Sequence, residues 1–121
     1  MDRPNYEKLE IWRDGIELVK DIYAITLKFP KDEVYGLTSQ LRRAAVSVPA
    51  NIAEGHGRGT KKDFRQFLYI TKGSLQELNT LLYVARLLNY IEEATSQRIQ
   101  FQILSLVRRV SSLIKNLVPP S

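Results

Sequence analysis

The chain has 121 residues, of which 44% are hydrophobic and 26% charged, a globular composition that argues against long-range disorder. Eighteen Lys and Arg against 13 Asp and Glu leave a net charge of +5, with a pI near 9.6. Cysteine is absent, which excludes disulfides, thiolate metal sites, iron–sulfur clusters and cysteine catalysis and fits a cytoplasmic location.

A single domain over residues 1–121 is expected at this length. Met1–Leu9 is polar and charged and resembles no signal peptide. No apolar run approaches the ~20 residues that a membrane crossing needs. The first helix is expected over about 8–29. Leu9, Trp12, Ile16, Val19, Tyr23 and Leu27 form one stripe, and Ile11, Leu18, Ile22, Ile25 and Phe29 a second. Together they cover about 200° of the wheel, wider than the face one small bundle needs. Pro30 ends this helix, because it disfavours the α conformation at Phe29.

The second helix is expected over 34–54. Leu37, Leu41, Ala44, Val48 and Ile52 make its apolar stripe. Pro49 lies inside it and removes one helical hydrogen bond; the stripe resumes in phase at Ile52, so a kink near Pro49 is expected rather than a break. Gly55, Gly57 and Gly59 are spaced to stop the helix and turn the chain.

Thr60 with Asp63 resembles a capping box opening the third helix, expected over 61–88. Phe64, Phe67, Leu68, Leu75, Leu78, Leu81, Leu82 and Ala85 line its main face, with Tyr69, Val84 and Leu87 on a second side. Gly73 in mid-helix costs up to about 1 kcal/mol against Ala, which points to close approach by another helix. The last helix is expected over 93–118, with Ile99, Ile103, Leu106, Val110, Leu113 and Leu117 in its stripe, widened by Leu104, Val107 and Ile114. Nothing reads as a strand. Four long helices with short connections predict an all-α, antiparallel up-down-up-down four-helix bundle.

The charge is uneven. Residues 1–41 carry a net −2, residues 42–65 a net +4 and residues 66–121 a net +3. Arg58, Lys61, Lys62 and Arg65 lie within eight residues at the junction of the second and third helices. The positive amino end of the third helix adds to them, and phosphate is the expected ligand. Phe64 and Phe67 are assigned to the core, so contact with the backbone of RNA or DNA is expected there, with weak sequence preference.

Gln40, Arg43, Ser47, Asn51, Glu54 and Arg58 recur at helical spacing and form a polar stripe on the second helix. Such a row serves a seam within the bundle or between subunits, or a ligand site. The run Gly55-His56-Gly57-Arg58-Gly59 lacks the Lys-Ser or Lys-Thr ending of a phosphate loop and follows a helix, so it reads as a turn. His56 is the lone histidine, without the ligand partners a metal needs. No catalytic set, metal or cofactor is expected, and the chain does not read as an enzyme.

The string from Tyr35 to Leu68 (YGLTSQLRRAAVSVPANIAEGHGRGTKKDFRQFL) is similar to the four-helix bundle family named for 23S rRNA intervening sequences. Gly73–Leu78 (GSLQEL), Phe29-Pro30 and the Tyr6, Leu9, Trp12 pattern extend the match to nearly the whole chain. Gln40, Arg43, Ser47, Asn51, Ile52, Ala53, Glu54, Gly55 and Arg58 fall on the family's marked positions. The resemblance implies a bacterial ring-shaped homopentamer. It also implies a distant relationship to the basic accessory subunits of diversity-generating retroelements, which contact nucleic acid. The expected function is therefore a non-enzymatic homo-oligomeric bundle acting as a nucleic-acid or nucleoprotein accessory factor. The competing reading is a structural oligomer or protein-interaction scaffold without nucleic acid.

Overall fold

The computed structural model describes residues 6 and 9–118. Each apolar stripe lies on a helix: α1 (Glu10–Thr26), α2 (Leu37–Gly57), α3 (Lys61–Leu87) and α4 (Glu93–Asn116), with a short 3-10 turn at Lys31–Glu33. Among the described residues there is no strand. Helices adjacent in sequence pack together, and α1 returns against α4. The result is an all-α antiparallel up-down-up-down bundle. Leu18, Ile22, Leu41, Ile52, Leu68, Leu75, Ile99 and Ile103 are among its fully buried side chains. Burying each of these contributes about 1.5–3 kcal/mol.

The α1 helix stops short of Pro30. Lys28 and Phe29 instead donate to the carbonyls of Ile25 and Thr26, at 3.3 and 3.1 Å, in a turn that seats Phe29 in the core against Tyr90, ring centres 5.3 Å apart. Residue 8 lies outside the described residues. The wide apolar arc of α1 is largely absorbed by packing on two neighbours. Ile11, Leu18 and Ile22 are buried, while Trp12, Ile16 and Val19 are half-buried. Tyr23 and Leu27 remain exposed.

The α2 helix begins at Leu37, after the turn, and continues unbroken through Pro49 to Gly57. Gly55 and Gly57 are therefore helical, against the expectation that they stop the helix; among the three only Gly59 adopts a left-handed φ, +85°. Gly55 has a different reason. A Cβ there would overlap the Cβ of Phe67, so its absence lets α2 and α3 meet. Gly15 serves α1 in the same way, since a Cβ would lie 3.3 Å from Val48 Cγ1 and 3.5 Å from Pro49. Gly73, expected at such a contact, faces solvent with nothing within 4 Å of an added Cβ. That reading is overturned: the closely packed glycines are Gly15 and Gly55.

The α3 helix opens on Thr60, whose hydroxyl accepts from the Asp63 amide at 3.1 Å. It closes on Asn89, at φ +64°, with the amides of Asn89 and Tyr90 donating to the carbonyls of Arg86 and Ala85. Both bonds belong to the Schellman termination. On α4, Ile99, Ile103, Leu106, Val110 and Ile114 are buried, but Leu104 is exposed beside Phe101, because no helix covers that side. Polar ties join α1 to α4. Arg109 pairs with Asp14 at 2.7 Å, and Asp21 meets Arg98 at 3.6 Å and accepts from Gln102 Nε2 at 3.0 Å. A second clamp sits at the amino end of α2. Glu33 accepts from the Leu37 amide at 3.2 Å and from the Tyr90 hydroxyl at 2.9 Å.

Candidate nucleic-acid interface

The α2–α3 junction is built by termination chemistry. Arg58 caps α2, Gly59 makes the left-handed turn, and Thr60 starts α3, so Lys61 and Lys62 fall on its first turn. Both lysines are exposed and form no ion pair among the described residues. Their ammonium groups stand at the helix end where unpaired amides concentrate partial positive charge.

Arg58 is also exposed, but Glu54 offsets part of its charge at 3.1 Å, and its guanidinium lies 5.1 Å from the Phe67 ring centre. Arg65 is committed to partners within the bundle. Its Nε donates to the Ile114 carbonyl at 3.3 Å and a terminal nitrogen donates to the Tyr69 hydroxyl at 3.3 Å. It thus neutralises the negative carboxyl end of α4. Lys115, next to that carbonyl and exposed, brings a further charge to the same end of the bundle. Sequence spacing could not show this, because 49 residues separate Arg65 from Ile114.

The polar stripe of α2 points outward. Gln40, Arg43 and Glu54 are exposed, and no described helix covers them. Ser47 and Asn51 are half-buried, yet their side chains donate to the carbonyls of Ala44 and Ser47 in their own helix, at 2.7 and 2.8 Å. The stripe thus makes no side-chain hydrogen bond to another helix among the described residues. His56 packs edge-on against Phe64, ring centres 5.4 Å apart. Among the described residues no group of three or more His, Cys, Asp or Glu side chains is placed to hold a metal ion.

A concave surface lies elsewhere on the bundle. An open groove of about 630 Å³ runs between the carboxyl end of α1 and the amino half of α2, lined by Tyr23, Val34, Tyr35, Arg42, Arg43 and Val46. Tyr23 belongs to an apolar stripe of α1 and Tyr35 lies in the turn before α2 rather than in the helix expected from residue 34, so neither periodicity nor spacing marks the pair. Arg42 is held from two sides. Its Nε donates to Thr26 Oγ1 at 2.9 Å, and its guanidinium lies 4.4 Å from the Tyr23 ring centre. No carboxylate among the described residues pairs with Arg42 or Arg43.

These features define a class: an all-α helical bundle with two exposed lysines at the α2–α3 end that form no ion pair among the described residues. The family follows. Residues 7–112 match the model of the 23S rRNA-intervening sequence protein family, and the chain belongs to that family. A solved structure from Bacteroides thetaiotaomicron, a protein with unknown function from the S23 ribosomal protein family, superposes with a TM-score of 0.78 at 20% identity. The match covers 87% of this chain and 98% of that one, and at that identity it speaks to the fold. A search of curated proteins finds no match. No described helix is long and apolar enough to cross a membrane.

Proposed function

We propose that the chain is a non-enzymatic, self-associating bundle that works in the cytoplasm as a nucleic-acid or nucleoprotein accessory factor, gripping the phosphate backbone at the α2–α3 junction. The observation that carries this reading is the pair Lys61 and Lys62, exposed and unpaired on the first turn of α3, with Arg58 and Lys115 at the same end. Repetition of that surface around a closed oligomer would multiply modest phosphate contacts into avidity. The matched family is named for rRNA-intervening sequences and the structural neighbour for a ribosomal protein family, so structured RNA is the first probe to try.

The test is binding of structured RNA and duplex DNA across a salt series, for the parent and for Lys61→Glu with Lys62→Glu. The double variant is expected to weaken binding to all sequences alike and to lower the log–log salt slope by about two. Unchanged affinity and slope, with the oligomer intact, would remove the junction from the reading. The competing scaffold function draws on a separate observation: α3 exposes Ile70, Val84 and Leu87 along a face that no helix of the chain covers. A parent protein that assembles but binds neither probe would favour it.

A further inference from the structure

We propose that the α1–α2 groove is a site for single-stranded nucleic acid, stacking bases on Tyr35 and on the Arg42 guanidinium while Arg42 and Arg43 hold the phosphates. The proposal rests on the nucleic-acid reading for the class of partner, but it concerns a different surface and a different mode of contact.

Three features of the groove converge. The first is aromatic: Tyr35 is 96% exposed in the turn before α2, with no ring partner among the described residues. A large ring left so open makes a platform on which any base can stack. The second is a guanidinium fixed in place with no counter-ion among the described residues. The Thr26 hydroxyl, itself buried, accepts from Arg42 Nε, and the Tyr23 ring supports one face of the guanidinium. The other face and the terminal nitrogens are free of any hydrogen bond to the described residues. An arginine held in this way loses little freedom on meeting an anion, and its plane can stack a base in its own right. Glu33, the half-buried carboxylate near this end of α2, is committed to the Leu37 amide and Tyr90.

The third feature is Thr38. It lines the groove, is only 4% exposed and makes no side-chain hydrogen bond to a described residue. Thr26, Thr71 and Thr80 all turn their hydroxyls back onto carbonyls of their own helices. Thr38 sits at the second position of α2, where the residue four before it lies outside the helix. With no described partner, its hydroxyl is available to a phosphate or a sugar in the groove.

The shape favours a polymer over a small metabolite. Small-molecule sites engulf most of their ligand, whereas this groove is broad and open. A strand could also leave it along α2, since Arg43 and Ser47 belong both to the groove and to the polar stripe that ends at Arg58. Fifteen helical steps of 1.5 Å put the two ends of that path roughly 23 Å apart.

The test is fluorescence anisotropy with labelled 12-nucleotide oligo(U) and oligo(dT), and with a duplex of equal length. The parent, Tyr35→Ala, Arg43→Glu and Lys61→Glu with Lys62→Glu are compared, each with its mass measured by light scattering. Tyr35 is so exposed that its replacement should leave the fold intact. Tyr35→Ala is expected to weaken single-strand binding about tenfold and to leave duplex binding unchanged; Arg43→Glu should weaken single-strand binding as well. Single-strand binding lost only in the lysine variant would overturn the groove proposal and leave the junction standing. Loss of oligomer mass in Tyr35→Ala, with single-strand affinity per subunit unchanged, would make the groove a subunit contact and overturn it too. Absence of binding to every probe by the parent would end both readings.

Discussion

Glycine shows how strongly a residue's effect depends on what faces it. At Gly55 the neighbour is Phe67, and any side chain would have to push α2 away from α3. Gly55→Leu is therefore expected to destabilise the bundle by about 1–3 kcal/mol or more, through overpacking. Gly73 lies in the interior of a 27-residue helix but faces open space. There the only intrinsic effect is propensity, so Gly73→Ala should stabilise by about 0.5–1 kcal/mol. Urea melts of the two variants check both signs. A destabilised Gly73→Ala protein would mean that something outside the chain packs on that position.

The elements are held by a few clamps between them. Glu33, on the 3-10 turn, reaches both the first amide of α2 and the hydroxyl of Tyr90 beyond α3. The Tyr90 phenol is raised above its ordinary value, first by its hydrogen bond to Glu33, then by burial and by the negative charges of Glu33 and Asp32. The native state therefore keeps a proton that the unfolded chain releases more readily. The resulting stability is fully present below the ordinary tyrosine value of 10.0 and is lost as pH rises through the raised one. Relative to Tyr90→Phe, the parent should lose stability above that pH and not below it. Melts of the two proteins at pH 8 to 11 make the comparison, and parallel curves would show that the clamp does not couple to the proton.

At the scale of the molecule, four helices close one core and leave apolar rows outside it. Leu27 on α1, Ile70, Val84 and Leu87 on α3, and Phe101 and Leu104 on α4 are all exposed. Extensive exposed apolar surface marks contact sites in soluble proteins, and a cyclic assembly covers such surface without leaving an open edge. Light scattering at micromolar concentration is expected to give five times the 13.9 kDa chain mass, the number five resting on the family resemblance. A dimer mass would remove the pentamer, and a monomer mass would remove self-association.

The four helices, one buried stripe on each and the basic junction between α2 and α3 are legible in the sequence alone. Helical periodicity is a property of one segment, and the hydrophobic pattern of α2 read through Pro49 as it does in the structure. Tertiary structure decided what faces each stripe. Periodicity gives a direction around one axis, but not which neighbour lies there. Thus Gly55 rather than Gly73 became the close contact, and the polar row of α2 turned outward. Arg65 found a partner carbonyl 49 residues away. Arg42 acquired its anchor only when α1 brought Thr26 and Tyr23 beside it, because a groove between two helices belongs to neither alone.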